Sequence, residues 1–237
     1  MRVPGGAPVF VDRLEHGTDP HRLAWDRGYR IVRPLSATGV GDSLTFTVQV
    51  GAHGKRVAHR GPQRVRQVDA GLTPDEIEHP VLRQRLAAYA IVVSHRGLLA
   101  TQFSDRTAVP GSWGLPGGGI DRGENPSQAV IREVAEETGQ ELEISHLLDI
   151  QTDHWIGRAP SGVIEDFHAV RIIYAGVCPD PSDPIVHDEG GTTADAAWVP
   201  LREWHRTHFT AGFRALLERH LPALVSQFGF RSHRLFG

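Results

Sequence analysis

Between Asn125 and Gly139 the chain specifies a helix at both of its ends. Asn125 is an N-cap residue, Pro126 suits the first helical position, and Gln128 stands where a capping-box partner belongs. Gly139 supplies the usual C-terminal stop. The spacing predicts a helix over Pro126–Thr138. Each residue of such a helix advances about 100° around the axis. With Glu133 at zero, Glu137 lies about 40° to one side and Glu136 about 60° to the other. Three carboxylates thus share one face within a turn. Ile131, Val134, Ala135 and Thr138 fall opposite and are expected to pack on a sheet, while the small side chain of Ala129 leaves room on the acidic face.

Like charges at this spacing destabilise a helix by a few tenths of a kcal/mol per pair, and partial desolvation would raise their pKa values. A divalent cation relieves both effects, and hard oxygen donors at this density suit Mg²⁺ or Mn²⁺. Three glutamates alone also fit an acidic, solvent-facing surface with no ligand. The wider spacing separates the two readings.

Gly118, five residues, Glu124, seven residues and then Arg132-Glu133-Val134-Ala135-Glu136-Glu137-Thr138-Gly139 resembles the Nudix box. Seven fixed positions coincide by chance roughly once in 10⁸ starts at average residue frequencies. Trp113-Gly114-Leu115-Pro116-Gly117 also resembles the family's approach to the box. One departure is Gln140, which stands where the family has an aliphatic residue. Over residues 86–225 the resemblance implies an α/β/α sandwich with a mixed sheet. It implies metal binding by Glu133, Glu136 and Glu137, with the backbone carbonyl of Gly118 as a further ligand. In the family the residue at Glu124 supports the site, and the one at Arg132 pairs with an acid to fix the loop–helix–loop.

The implied chemistry is hydrolysis of a phosphoanhydride bond in a small, nucleotide-like diphosphate. A divalent ion would neutralise the diphosphate and assist in-line attack by water. Expected catalytic residues are Glu133, Glu136 and Arg132, together with Glu189. Glu136 is one candidate for the general base. Glu165, Asp166, Asp188, Glu189 and Asp195 are downstream candidates, with Asp188 and Glu189 preceding a Gly-Gly pair. Two other readings are weighed. Isopentenyl diphosphate isomerase, on the same fold, needs a cysteine upstream of the box, whereas Cys178 lies downstream. A non-catalytic nucleotide- or nucleotide-sugar-sensing module typically degrades the box glutamates, which are intact here. The N-terminal extension tips the expected substrate toward a nucleoside diphosphate joined to a sugar-like group, of nucleotide sugar or ADP-ribose type, with a nucleoside triphosphate as the second class.

The remaining chain divides into a β-rich N-terminal extension over 1–80 and the Nudix domain over 81–237. Tyr29–Arg33 and Ser43–Val50 are strand-like, with turn residues Gly39–Asp42 between them. The apolar face of Leu44, Phe46, Val48 and Val50 needs cover, from the chain itself or from a second copy in a homodimer. Lys55–Arg66 holds only basic charges and reads as a solvated segment or a phosphate-facing patch. Thr73 and Pro74 open a short helix expected to run to about Ala87. Strands are expected at Tyr89–Ser94, Leu98–Phe103, Leu147–Thr152, Phe167–Cys178 and Ala197–Val199, with a final helix from Thr210 to Gln227. His154, Trp155 and Phe167 are read as core or rim packing ahead of base stacking, and His168 as a half-buried histidine. A net charge of −3 gives no sign of a nucleic-acid polymer as partner. One cysteine, no leader-like opening and no membrane-length apolar run suggest a cytoplasmic protein.

Overall fold

The structure, a computed structural model, describes residues 7–40, 43–53, 67–159, 161–187 and 191–229. These form two compact units: one of residues up to 39, 43–87 and 148–172, the other of 40–42, 88–147 and 173 onward. The expected basic patch at Lys55–Arg66 falls outside the described residues, as does part of the Gly39–Asp42 turn.

In the first unit, helix α1 (Pro20–Asp26) starts at Asp19, whose carboxylate accepts from the Arg22 N–H at 3.0 Å. Strands β1 (Tyr29–Thr38) and β2 (Thr45–Ala52) then pair antiparallel as a separate two-stranded sheet. Both expected strands are present, and Phe46, Val48 and Val50 alternate half-buried with exposed neighbours. β3 (Gln67–Val68) pairs parallel with β8 (Glu143–Arg158), Gln67 opposite Trp155. Helix α2 (Pro74–Glu78) opens on a complete capping box between Thr73 and Glu76. It ends after one turn, not near Ala87, and β4 (Val81–Ser94) begins there instead. Pro80 explains the difference, because its ring disfavours a helical conformation at His79 and it has no N–H to donate.

In the second unit, β4 turns into β5 (Gly97–Phe103), with Val93 opposite Leu98. Gly97 has φ +134°, and a Cβ there would lie 2.2 Å from the Val199 carbonyl oxygen, so only glycine serves. β6 (Trp113–Gly114) and β7 (Gly117–Gly119) lead into α3 (Pro126–Thr138). β9 (Ile164–Val177), β10 (Thr193–Val199) and α4 (Ala211–Gln227) complete the chain. The hydrogen-bonded order is β10-β5-β4-β9-β8-β3, with β6 beside β5 and β7 beside β4. Because β10–β5 is antiparallel and β3–β8 parallel, the sheet is mixed. Ile91, Leu98, Leu99, Ile173, Leu216, Leu217 and Leu221 are among the buried core of this unit. No helix among the described residues is long and apolar enough to cross a membrane.

Candidate active site

Helix α3 has the bounds its caps dictate. The Asn125 carboxamide accepts from the Ser127 and Gln128 N–H groups, Gln128 returns a bond to Asn125 N–H, and Gly139 closes the helix at φ +66°. Its orientation differs from the expected one. Val134 and Thr138 are buried, but Ile131 is 44% exposed and Ala135 is also exposed. Pro126, Ala129, Val130 and Glu137 are buried instead. Measured from Glu133, the buried stripe is centred about 60° toward Glu137. The three carboxylates therefore straddle the edge of the helix: Glu137 lies inside, Glu133 at the rim, and Glu136 half in solvent.

A buried carboxylate must find donors. The Gly117 N–H donates to Glu137 Oε2 at 2.9 Å, and the Thr193 hydroxyl donates to Glu137 Oε1. Glu137 is thereby tied to β7 and β10. Neither donor was singled out from the sequence, since Gly117 lies one residue outside the motif spacing and Thr193 is 56 residues away.

Arg132 fixes the other acids. It grips Glu124 with both arms, Nε to Oε1 at 2.9 Å and Nη2 to Oε2 at 3.1 Å, and donates from Nη2 to the Gly119 carbonyl at 3.1 Å. Nη1 reaches Glu133 Oε1 at 3.0 Å and Glu136 Oε2 at 2.9 Å. The bonds to Glu124 raise the Arg132 pKa above its ordinary value. In return, Arg132 holds the Glu124 carboxyl below the usual range, against a burial cost and with help from the Asp121 N–H. The loop 119–124 and the turn 132–136 are thus drawn around one guanidinium.

Glu133 lies against Gly118. A Cβ at 118 would stand 2.6 Å from Glu133 Oε1, 2.7 Å from Cδ and 2.7 Å from Oε2. Glycine is what lets a carboxylate approach the backbone there. Hard oxygen atoms from Glu133, Glu136 and Glu137, beside a glycine-rich backbone, suit Mg²⁺ or Mn²⁺.

Gln140 departs from the motif and is buried, yet it is satisfied. Its Nε2 donates to Ser182 Oγ at 3.0 Å and to the Thr138 carbonyl at 3.2 Å, and its Oε1 accepts from the Ser182 N–H at 3.0 Å. The segment after Ser182 closes the end of α3: Ile185 N–H donates to the Thr138 carbonyl at 2.9 Å and His187 N–H to the Glu136 carbonyl at 2.8 Å. Asp188 and Glu189, the expected loop acids, lie outside the described residues. Asp195 is exposed and accepts from the Ala196 N–H. Glu165 and Asp166 belong to the first unit, where Glu165 pairs with Arg83 at 2.8 Å and Asp166 meets two histidines. Trp155 and Phe167 pack on one another, ring centroids 4.4 Å apart.

Comparison with known proteins places these residues in a family. The NUDIX domain family model matches residues 83–219. The nucleoside triphosphatase NudI of Enterobacter sp. (strain 638) is 31% identical over 121 residues, covering 50% of this chain and 83% of that protein. The putative mutator protein MutT4 of Mycobacterium tuberculosis (strain CDC 1551 / Oshkosh) is 31% identical over 173 residues, 71% of this chain and 61% of the other. Among solved structures, a MutT NUDIX hydrolase from Burkholderia pseudomallei is 26% identical with a TM-score of 0.44, covering 58% of this chain and 98% of that one. The matched span contains Gly118, Glu124, Arg132, Glu133, Glu136, Glu137 and Gly139, and the chain belongs to the Nudix family of hydrolases.

Proposed function

We propose that this protein is a Mg²⁺- or Mn²⁺-dependent hydrolase of a phosphoanhydride bond in a nucleotide, with a nucleoside triphosphate as the first substrate class to test. The observation that carries the reading is the carboxylate fan of α3, held by Arg132 on one side and by Gly117 and Thr193 on the other. The resemblance to proteins named nucleoside triphosphatase supports the substrate class. A nucleoside diphosphate joined to a sugar-like group is the second class.

Glu133, Glu136, Glu137 and the Gly118 carbonyl would hold the cation. When bound, it supplies positive charge for the diphosphate and lowers the pKa of the attacking water. The protein supplies the rest. Arg132 balances the charge of Glu124, Glu133 and Glu136 and keeps the last two aimed from one turn. Glu137 is positioned before substrate arrives, so little reorganisation remains for the reacting complex. Glu136 is half-exposed at the outer edge of the fan and is the candidate base within the box. Glu189 is the candidate outside it. The β1–β2 hairpin is the candidate surface for a homodimer, checked by sedimentation at micromolar concentration.

The test is a phosphate-release screen of nucleoside triphosphates, nucleotide sugars, ADP-ribose and dinucleotides with Mg²⁺ or Mn²⁺. Glu136→Gln should lower kcat at least about 100-fold while the fold is retained. Tight ligand binding without turnover across the panel would favour a sensor instead, and wild-type turnover in Glu136→Gln would remove that residue from the chemistry.

A further inference from the structure

In the first unit, three side chains from distant parts of the sequence converge: His16, His154 and Asp166 have ligand atoms within 4.8 Å of one another. Among the described residues this is the one group of three His, Cys, Asp or Glu side chains gathered so tightly. His16 Nε2 lies 2.9 Å from Asp166 Oδ1, and His154 Nε2 lies 2.5 Å from the same oxygen. The side chains are 26%, 20% and 9% exposed, so the cluster is largely withdrawn from solvent.

The backbone is built to bring them together. His154 stands on β8 and Asp166 on β9, and His16 arrives on the turn closed by the Thr18 N–H to the Glu15 carbonyl at 3.0 Å. Gly17 in that turn has φ +74°, and a Cβ there would lie 2.6 Å from His154 Cε1. Any side chain at 17 would both strain the turn and push into the histidine. Asp19 accepts from the Thr152 hydroxyl at 2.8 Å and caps α1, which ties the residues just after the turn to β8.

A fourth group adjoins the cluster. His168 is fully buried, its ring centroid 5.5 Å from that of His16 and 6.0 Å from that of His154. Its Nδ1 meets Gln84 Nε2 at 3.1 Å, whereas its Nε2 has no hydrogen-bond partner of ordinary geometry among the described residues. The Thr18 backbone also approaches the ring.

We infer that His16, His154 and Asp166 form a binding site for a divalent transition-metal ion of the zinc class, with His168 beside it as the anchor of a coordinated water. Two imidazoles and one carboxylate suit Zn²⁺, Co²⁺ or Ni²⁺, whereas Mg²⁺ prefers oxygen and water. The site uses none of the glutamates of α3. Its occupant would cross-link the N-terminal turn to β8 and β9.

Full-length protein stripped with chelator and kept in excess Mg²⁺ provides the test, using Zn²⁺ titration and Co²⁺ absorption. One equivalent of Zn²⁺ or Co²⁺ per chain is expected, with a higher Tm on addition. His16→Ala should weaken binding at least about 100-fold, since losing even an outer partner of a ligand costs 10–100-fold. The double variant Glu133→Gln/Glu136→Gln should bind as the wild type does. Should His16→Ala fail to fold, zinc K-edge absorption of the wild type decides: imidazole nitrogen in the first shell is expected. Absence of bound zinc and cobalt in the wild type, undiminished binding in folded His16→Ala, or an oxygen-only shell would overturn the site and leave a plain His–Asp–His hydrogen-bond network.

Discussion

Replacing Gly118 by alanine isolates the aim of Glu133 from the stability of the fold. The new Cβ would stand 2.6 Å from Glu133 Oε1, where ordinary contact begins near 3.4 Å. The atom it meets is the end of a flexible side chain, so the carboxylate retreats by about 0.8 Å and the backbone stays. Gly118 has no left-handed φ, so alanine adds no backbone strain there. Alanine also restricts the unfolded chain, which contributes about 0.4–1 kcal/mol of stability. That gain offsets the weakened Arg132–Glu133 contact, a partly exposed ion pair worth about 0–1 kcal/mol. Stability in urea should therefore change by less than about 1 kcal/mol. Activity should not be spared, because a displacement near 1 Å in a positioned group costs up to about 100-fold. A fall in kcat/KM of roughly 10–100-fold, about 1.4–2.7 kcal/mol in the barrier, is expected with Mg²⁺ or Mn²⁺. Gly111→Ala is the converse control. Its φ of +76° and open surroundings predict a loss of about 1 kcal/mol in stability with unchanged kcat/KM. A folded Gly118→Ala with wild-type kcat/KM would refute the placement of Glu133.

Further expectations concern the supports of the same helix. Thr193→Val removes a donor to the buried Glu137 carboxylate and should destabilise by about 1–3 kcal/mol in urea unfolding, with lowered kcat. Gln140→Leu restores the family's aliphatic residue, yet it should also cost about 1–3 kcal/mol, because the Ser182 N–H and hydroxyl lose their buried partner. Arg132→Lys keeps the charge but loses the two-armed grip on Glu124, so Tm and kcat/KM should fall together. Glu124 titrates below its ordinary 4.5 in the folded protein, so its contribution is full above that value and is lost as pH falls through the folded pKa. Urea unfolding between pH 5 and 3 should show this loss in the wild type and a shallower one in Glu124→Gln.

The box helix was legible because its information is local: cap, proline, capping-box partner and closing glycine lie within the segment they define. Strands rich in apolar residues, such as Ile91–Val93 and Leu98–Leu99, were legible for the same reason. The rotation of α3 was not. Periodicity ranks Ile131 as apolar, but Glu137 takes the inward position because Gly117 and Thr193 provide donors there, and no local pattern carries that information. Pro80 itself announced the early end of α2, against the expectation of a helix to Ala87 that rested on its Thr73-Pro74 start. The histidine cluster was invisible for a different reason: His16 and Asp166 are 150 residues apart, and with 14 histidines in the chain no spacing marks out the pair.

The N-terminal end of α3 closes on itself, whereas its C-terminal carbonyls wait for Ile185 and His187, and Glu137 waits for Thr193. A helix of this length is marginal without packing. On the ribosome, where the chain emerges from its N-terminus, the acid-bearing turn would leave the exit tunnel about fifty residues ahead of its last partner. A truncation ending before Thr193 would therefore carry the whole recognisable motif and still lack its geometry.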